Sequence, residues 1–278
     1  MKYSQNHIEE KILKATADFD IRADYSKSEA WKAVENRIYK KEKGNLILMG
    51  SMLRYAIAAS VTILLLVGFS LLNIREISTG NGETLLVELP DESMVTLNAS
   101  SSISYNPWFW HFNREVELQG EAFFEVEKGA EFKVWSGEKS VTVLGTSFNI
   151  KSRDDIYQVS CFTGKVRVKN DVDREVILTP GEETIDRGLE LPRIGFEKSK
   201  TATWRTGDFY FESTSLVDVI RELERQFDIE VIFSPESNRI YTGYFNTHSL
   251  EEALDMVFTP MGFTYKIEKN KTVLIESL

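Results

Sequence analysis

Residues 114–127, REVELQGEAFFEVE, alternate apolar and polar side chains over their whole length. The apolar positions share one face, and the polar positions share the other. They are Val116, Leu118, Ala122, Phe124 and Val126 on the first face, and Glu115, Glu117, Gln119, Glu121 and Glu125 on the second. A period of two residues is typical of a β-strand with one buried and one solvated face. This stretch therefore predicts a strand of an all-β domain.

Shorter runs with the same period lie on both sides of this stretch. They are residues 85–89, 94–97, 141–144, 157–161, 166–168 and 176–178. Turn-forming pairs such as Pro90-Asp91, Thr163-Gly164 and Pro180-Gly181 separate the runs. Many short strands without a long helix indicate an all-β domain over residues 83–190. A sandwich and a solenoid-like layer both fit, and periodicity alone does not choose between them.

The period changes to that of a helix after a connector at residues 191–201. Two helical patterns each follow a Ser-Leu pair and lead into a strand. Their apolar faces are Leu216, Val219, Ile220, Leu223 and Phe227, and Leu250, Ala253, Leu254 and Val257. The order strand-helix-strand-strand-helix-strand-strand (βαββαββ) predicts an α+β module over residues 202–278, with its helices on one face of a sheet.

An uncharged apolar stretch, YAIAASVTILLLVGFSLL at residues 55–72, precedes the β domain. As a helix, its 18 residues would extend about 27 Å, close to the ~30 Å hydrocarbon core of a bilayer. We therefore predict a transmembrane helix over residues 54–73. A helix buried in a protein core is the alternative, although this stretch lacks a polar face. A cleavable signal peptide is disfavoured because more than fifty residues precede the stretch and no A-x-A-like site follows it.

Basic residues predict the orientation of this helix. Five of them lie shortly before it, and only Arg75 follows it within a similar distance. The five are Arg37, Lys40, Lys41, Lys43 and Arg54. Lys and Arg in short flanking segments stay in the cytoplasm. The N-terminal segment is therefore predicted inside the cell, and the long C-terminal part outside the membrane.

Charge and cysteine content restrict the function further. Residues 1–54 contain 11 of the 33 Lys and Arg but only 8 of the 43 Asp and Glu, so the outer part is strongly acidic. An acidic surface argues against nucleic acid as a partner, because nucleic-acid binding requires clustered positive charge. A single cysteine, Cys161, excludes an internal disulfide. Its place in an alternating run predicts a buried side chain rather than a reactive thiol.

The N-terminal 50 residues are too few for a sizeable core, yet they contain helical signals. Ser26 and Glu29 form a potential capping box. Trp31, Val34 and Ile38 follow on one face. An earlier pattern, Ile8, Ile12, Leu13 and Ala17, predicts another helix. We interpret the face with Trp31 as a surface that a partner completes. Helices that pack on each other or on lipid headgroups are the alternative.

The sequence shows no pattern of a catalytic, cofactor or metal site. Its three histidines, His7, His111 and His248, are far apart, and it has no H-E-x-x-H motif, paired cysteines or Gly-rich phosphate loop. We interpret the aromatic residues 108–112 as a loop that plugs the β domain, with a sugar-stacking platform as the alternative. We interpret the acidic strand faces as solvated rather than as Ca²⁺ sites. Their residues are Glu115, Glu117, Glu125 and Glu127.

Five segments follow one another in an order that resembles the outer domain of the FecR family, the ferric-citrate-type anti-sigma regulators of Gram-negative bacteria. They are LPDESMVTLNASSSISY (89–105), REVELQGEAFFEVE (114–127), VTVLGTSFNIKS (141–152), CFTGKVRV (161–168) and LTPGEE (178–183). AWKAVENRI (30–38) resembles the segment that precedes the membrane helix in Bacteroidetes-type members. Residues 202–278 resemble the secretin and TonB short N-terminal module. The family's Pro-Asp-Gly turn reads Pro90-Asp91-Glu92 here, and since Glu disfavours positive φ, we expect a longer type I loop.

The resemblance implies a single-pass inner-membrane anti-sigma factor without a cofactor. Residues 1–50 would bind an extracytoplasmic-function sigma factor through Trp31, Val34 and Ile38. The periplasmic domains would receive a signal from a TonB-dependent outer-membrane transducer, and stepwise proteolysis would release the sigma factor. Whether control is inhibitory or also activating stays open. Two other classes of function fit the sequence: a membrane-anchored periplasmic carbohydrate-binding protein and an envelope scaffold.

The resemblance also implies a candidate self-cleavage site at Gly145-Thr146. The Thr146 hydroxyl would attack the carbonyl of Gly145, at which glycine minimises crowding. The alternative is a conformational requirement for glycine at position 145, with Thr146 as an ordinary strand residue.

Overall fold

The computed structural model describes residues 10, 13–14, 26–39, 46–188, 190–233 and 239–277. The chain divides into two units, residues 1–66 and residues 67–278, which are described separately below. Ile8, Ile12 and Ala17 of the earliest predicted helix lie outside the described residues, and Leu13 is helical and exposed.

Helix α1, Lys27–Tyr39, begins at the predicted capping box. The backbone N–H of Ser26 donates to Glu29 Oε2 at 2.9 Å, and the N–H of Glu29 donates to Ser26 Oγ at 3.4 Å. These reciprocal bonds satisfy two N–H groups that a helix start otherwise leaves without partners. The backbone and side-chain hydrogen bonds from Ser26 also lower the pKa of Glu29. The prediction of this helix start is confirmed.

Helix α2, Leu46–Leu72, contains the apolar stretch and is 27 residues long. Its window Met52–Phe69 is long and apolar enough to cross a membrane, and no residue of that window is buried. The hydroxyl of Ser60 donates to the carbonyl of Ile57, and that of Thr62 donates to Ala58, so these polar groups are satisfied within their own turns. Within the described residues, this window is therefore not packed into a protein core.

Over the described residues, the β domain is one continuous sheet of 13 strands, which confirms the predicted all-β domain. Its path is β11-β10-β7-β6-β5-β8-β9-β12-β13, with β3 and β4 also paired to β5, β2 to β3 and β1 to β4. The strands are β1 Arg75–Ser78, β2 Leu85–Glu88, β3 Met94–Leu97, β4 Ser102–Tyr105, β5 Arg114–Glu125, β6 Phe132–Ser136, β7 Lys139–Val143, β8 Ser147–Arg153, β9 Ile156–Cys161, β10 Val166–Lys169, β11 Glu175–Leu178, β12 Glu182–Ile185 and β13 Ile194–Gly195. The sheet begins at Arg75, earlier than the predicted residue 83.

Strand β5 allows this sheet to curl around its own core. Its first half pairs with β4 and β6, and its second half, from Gly120, pairs with β3 and β8. Gly120 lies between the halves at φ +97°, where a Cβ would lie 2.6 Å from Ser101 Oγ. Only glycine accepts both constraints. The apolar face predicted for β5 is buried in this core, from Val116 to Phe124.

The C-terminal residues follow the predicted order of elements but form two sheets instead of one layer. Strand β14 pairs with β16, and β18 lies between β15 and β17. The elements are β14 Asp208–Ser215, α3 Leu216–Phe227, β15 Glu230–Ile232, β16 Ile240–Asn246, α4 Leu250–Phe258, β17 Phe263–Ile267 and β18 Thr272–Ser277, with short 3₁₀ helices at Thr203–Thr206 and Thr259–Met261. Ser215 and Ser249 are the N-caps of the two helices, as their positions predict.

The second face of β5 is not solvated along its whole length. Glu121 is 6% exposed, and Phe123 is 3% exposed within the core of the C-terminal module. The prediction of a solvated face is therefore wrong for Glu121. The prediction fails there because the module packs on this part of the sheet, which the alternation within one strand cannot indicate.

The turn between β2 and β3 is longer than two residues, as expected, but Glu92 adopts the conformation that it disfavours. The N–H of Glu92 donates to the Leu89 carbonyl at 3.0 Å, and Glu92 has φ +67°. Asp91 fixes this turn, because it accepts from Arg114 Nε at 2.8 Å and from Ser93 Oγ at 2.7 Å. The surrounding hydrogen bonds offset the local strain.

We predict that Glu92→Gly stabilises the protein by about 0.5–1 kcal/mol, because glycine adopts positive φ without strain. Denaturant unfolding of the purified chain in detergent measures this change. Glu138→Gly is the matched control, since Glu138 is an exposed turn residue without positive φ. It should destabilise the protein instead. Equal destabilisation by both substitutions would contradict the assignment of strain to Glu92.

Candidate functional site

The C-terminal module packs on the outward face of strands β5 and β8. In β8, Phe148 and Ile150 point into the core of the β domain, whereas Asn149, Lys151 and Arg153 alternate with them and point outward. These three side chains and Glu121 of β5 make the contacts described below. The polar faces of two neighbouring strands therefore form the surface on which the module rests.

Amide side chains join the two parts around the buried carboxylate of Glu121. Asn98 Nδ2 donates to Glu121 Oε2, and Asn149 Nδ2 donates to Glu121 Oε1, both at 3.0 Å. Gln226 of α3 donates to Asn98 Oδ1 at 2.9 Å, and the indole N–H of Trp204 donates to Asn149 Oδ1 at 3.3 Å. Buried polar groups are costly without partners, so this network favours one position of the module on the sheet.

A charged cluster next to this network is centred on Glu222 of α3, which is 1% exposed. Arg225 Nη2 donates to Glu222 Oε2 at 2.8 Å, and Lys151 Nζ of the β domain lies 3.8 Å from the same oxygen. Arg225 Nη1 also contacts Asp154 at 2.8 Å. Burial alone would raise the pKa of Glu222, but the charges of Lys151, Arg153 and Arg225 outweigh it and lower that pKa. The cluster therefore holds an ionised carboxylate between the domains.

Aromatic contacts complete the junction. Phe123 of β5 contacts the ring of Phe162 edge-on at 5.2 Å between centroids. The guanidinium carbon of Arg205 lies 3.6 Å from the centre of the Phe123 ring. Trp204, next to Arg205, is buried in the module core. Arg205 and Phe123 thus form a cation–π contact that links the 3₁₀ helix to the sheet.

The sequence analysis did not identify this junction, although two signals point to it. Glu222 lies between the core positions Val219 and Leu223 on helix α3. Asn149, Lys151 and Arg153 form a run of polar side chains on alternate positions of β8. A charged residue near an apolar helix face and a complementary strand face together indicate a buried polar interface.

Two of the three proposed sigma-binding residues are exposed on α1. Trp31 is 72% exposed and Val34 is 48% exposed. Ile38 lies in the same helix, and its side chain is outside the described residues. Positions 31, 34 and 38 share one helix face by their spacing.

The candidate self-cleavage pair lies between β7 and β8. Gly145 has φ +145°, and a Cβ there would lie 2.6 Å from Lys128 Cγ and 2.9 Å from Lys128 Cα. The Thr146 side chain is buried, and its hydroxyl donates to the Lys165 carbonyl at 3.2 Å. Thr146 also exchanges two backbone hydrogen bonds with Val126. Because a Cβ at position 145 would clash with Lys128, the structure requires glycine there whether or not the bond is cleaved.

Comparison with known proteins identifies the family. Residues 75–167 match the family model described as FecR protein, and residues 208–275 match the one described as FecR, C-terminal. Crystal structures at 1.65 Å and 2.50 Å of a "putative anti-sigma factor" from Parabacteroides distasonis ATCC 8503 superpose with a TM-score of 0.67 and 31% sequence identity. The matches cover 73% and 74% of this chain and 99% of each crystallised chain. This chain is a FecR-family anti-sigma factor.

Such FecR-family proteins are regulators rather than enzymes. No curated protein matches this chain significantly. The matched residues include β5, β8 and α3, so most of the junction described above lies within the residues that match the family models.

In the aromatic segment at residues 108–112 of this FecR-family protein, Trp110 is buried, Phe109 is half-buried, and Trp108 and Phe112 are exposed. Trp110 is 2% exposed and contacts Tyr105 and Phe132 edge-on, at 5.3 Å and 5.8 Å between ring centroids. The interpretation of a plug is confirmed for Trp110. Trp108 and Phe112 are 60% and 87% exposed, so they are available to another surface.

Cys161 is buried, as predicted. Burial raises the pKa of its thiol to about 11, so the reactive thiolate is scarce near neutral pH. Among the described residues, no group of three His, Cys, Asp or Glu side chains could hold a metal ion. Glu125 and Glu127 are exposed, and Glu115 and Glu117 are half-buried.

We predict that Glu222→Gln destabilises the β domain and the C-terminal module by about 3 kcal/mol at pH 7, because Lys151 and Arg225 lose a buried counter-charge. In the wild type, the lowered pKa of Glu222 gives stability that is fully present above its ordinary value of 4.5. That stability is lost as pH falls through the folded-state pKa. Thermal unfolding of the full-length chain in detergent, from pH 7 to pH 2, measures both effects.

Glu230→Gln is the matched control, since Glu230 is an exposed residue of β15. It should change stability by less than about 0.5 kcal/mol and leave the pH profile unaltered. A Glu222→Gln variant with the same pH profile as the wild type would contradict the ionised state of Glu222.

Proposed function

We propose that this protein is a single-pass inner-membrane anti-sigma factor that binds an extracytoplasmic-function sigma factor in the cytoplasm. Its periplasmic domains receive a signal from a TonB-dependent outer-membrane transducer. The observation on which the proposal rests most is the exposed Trp31 on a capped helix that precedes an exposed apolar span. The name of the Parabacteroides protein and the family membership support the same role.

Helix α1 has the features of a helix that binds in a partner's groove. A helix of 13 residues is marginally stable alone in water, so contacts outside its own backbone stabilise it. Trp31, Val34 and Ile38 have the spacing of helical anchor residues. Exposed tryptophan is also among the residues that most often dominate binding energy. A sigma-factor groove would supply the missing apolar contacts.

The membrane location rests on α2 and its flanks. The exposed apolar side chains of the window Met52–Phe69 need a non-aqueous environment, and its polar hydroxyls are already satisfied within the helix. The excess of basic residues before the span favours a cytoplasmic N-terminus. Residues 1–50 and the outer domains are then on opposite sides of the inner membrane.

Hydrogen bonds connect the C-terminal module directly to the loop between β1 and β2, near the start of the sheet. The N–H of Gly82 donates to the Arg225 carbonyl of α3 at 2.7 Å, and Asn81 donates to Asp228 at 3.1 Å. Gly82 and Asn81 lie between β1 and β2, and β1 follows α2 after two residues. A transducer that displaces α3 would therefore act on the segment next to the span.

A sheet edge of the module is the contact that we propose for the transducer. Within residues 208–233 and 239–277, β15 and β17 each pair only with β18, so each has an edge without a strand partner. An added strand satisfies the backbone groups of such an edge. The predicted resemblance of this module to the secretin and TonB short N-terminal fold belongs to the same proposal.

Release of the sigma factor would follow from stepwise proteolysis, and the Gly145-Thr146 bond is a candidate for an initial break. In that step the Thr146 oxygen bonds to the Gly145 carbonyl carbon, the peptide C–N bond breaks, and the proton goes to the new Thr146 amine. Water then hydrolyses the ester to a Gly145 carboxylate and a free hydroxyl. The family resemblance motivates this step, and the buried Thr146 hydroxyl lies next to the bond.

We predict that Trp31→Ala weakens sigma-factor binding about tenfold or more, because a central apolar anchor is removed. Ile38→Asp should have a similar effect, since it places a charge on the same helix face. Pull-down of the cognate sigma factor with the full-length protein measures both. Asn36→Ala is the control, because position 36 is exposed on the opposite side of α1. Unchanged binding by both variants would refute the assignment of this face.

We predict that protein tagged at both ends yields two fragments that meet at Gly145-Thr146. Thr146→Ala should remain full length, Thr146→Ser should still break because it keeps a hydroxyl, and Thr142→Ala in β7 should behave as the wild type. Immunoblots of the purified proteins decide the question. A wild type that stays intact and is indistinguishable from Thr146→Ala would end this hypothesis.

A further inference from the structure

We propose that residues 106–113, here named the aromatic loop, insert Trp108 and Phe112 into the outer leaflet of the bilayer that α2 spans. The loop would be a second membrane anchor that fixes the orientation of the β domain. This inference rests on the proposed membrane span, and the experiment below separates the failure of one from the failure of the other.

Strand register places the aromatic loop at the end of the sheet next to α2. Arg75, the first residue of β1, pairs with Tyr105, the last residue of β4, and Tyr105 pairs with Val116 of β5. The loop connects Tyr105 to the start of β5, and Arg75 lies three residues after the end of α2 at Leu72. The chain therefore leaves the apolar helix and enters the loop at the same end of the β1–β4–β5 ladder.

A direct contact links the loop to the outer end of the apolar helix. The ring of Trp108 packs edge-on against the ring of Phe69, with centroids 6.3 Å apart and an interplanar angle of 78°. Phe69 is the last residue of the apolar window Met52–Phe69. If this window crosses the hydrocarbon core, Trp108 lies at the depth of its outer boundary. That boundary is the position that tryptophan prefers in membrane proteins.

One buried ring and several internal hydrogen bonds fix the conformation of the aromatic loop. Trp110 is buried in the core of the β domain, and Asn106 Oδ1 accepts from the N–H groups of Trp108 at 3.0 Å and Phe109 at 3.3 Å. The Phe109 carbonyl accepts from Phe112 and Asn113, both at 2.9 Å. The exposed rings thus project from an ordered turn, and little conformational freedom is lost when they enter lipid.

The chemistry of the loop fits lipid better than a soluble partner. Its sequence, NPWFWHFN, contains no Lys, Arg, Asp or Glu, so no charge would have to enter the interface with Trp108 and Phe112. Arg75 is exposed at the same end of the ladder and can bind headgroup phosphates. Because the aromatic loop adjoins the proposed membrane span, the bilayer is the partner that we assign to this surface.

Spin-label accessibility in nanodiscs tests the proposal with the full-length chain. Trp108→Cys and Phe112→Cys are labelled separately, and each variant retains the other aromatic ring. Lipid-soluble oxygen and water-soluble nickel ethylenediaminediacetate are the two probes. Ile63→Cys, within the apolar window, is the control for the span. Cys161 needs no substitution, since it is buried, and mock labelling of the wild type checks this.

Val172→Cys is the control for an exposed apolar site away from the membrane. Val172 is 47% exposed and lies in the turn that follows Lys169. Through the paired strands, Val168 is level with Val116 of β5 and Lys169 with Glu117, so the chain moves away from the aromatic loop as it enters this turn. A label at position 172 should therefore contact water under the same conditions.

We expect oxygen to reach labels at 63, 108 and 112, with nickel accessibility at 108 and 112 about threefold or more below that at 172. Labels at 108 and 112 as open to nickel as the label at 172, with 63 in lipid, would overturn the inference and leave the span intact. Labels at 108 and 112 closed to both probes would overturn it in favour of a protein contact. A label at 63 open to nickel would refute the proposed span and the inference together.

Discussion

Strand β5 is buried on both faces from Gly120 to Phe124, and the arrangement of the β domain and the C-terminal module depends on this burial. One face supplies Ala122 and Phe124 to the core of the β domain. The other supplies Glu121 to the polar junction and Phe123 to the core of the C-terminal module. Two cores therefore share one strand, and Gly120 provides the bend that allows the sheet to close around the first of them.

The second face contains buried charges, and this makes the junction specific. A buried carboxylate such as Glu121 or Glu222 is strongly unfavourable unless hydrogen bonds or cations satisfy it. Separation of the module from the sheet would break the contacts that Glu222 makes with Lys151 and that Asn98 makes with Gln226. The interface thus favours a single arrangement of the two domains. A displacement of α3 would therefore also break contacts made by residues of the β domain.

The segment before the β domain has the opposite character, because its apolar groups are exposed. Among the described residues, Trp31 on α1 is exposed and no residue of the window Met52–Phe69 is buried. A regulator that binds a protein on one side of a membrane and senses on the other needs such a division. The β domain and the C-terminal module bury their apolar groups in two cores, whereas the proposed function has α1 contact a partner protein and α2 contact lipid.

The sequence by itself determined the elements that depend on local periodicity and capping. The alternation in residues 114–127 predicts β5, Ser26 and Glu29 mark the start of α1, and the uncharged run at 55–72 predicts the long apolar helix. Only the tertiary structure decided the rest. The burial of Glu121 and Glu222, the shared role of β5 and the positive φ of Glu92 result from residues distant in sequence. Local patterns record which face of an element is apolar, but not which other element covers its polar face.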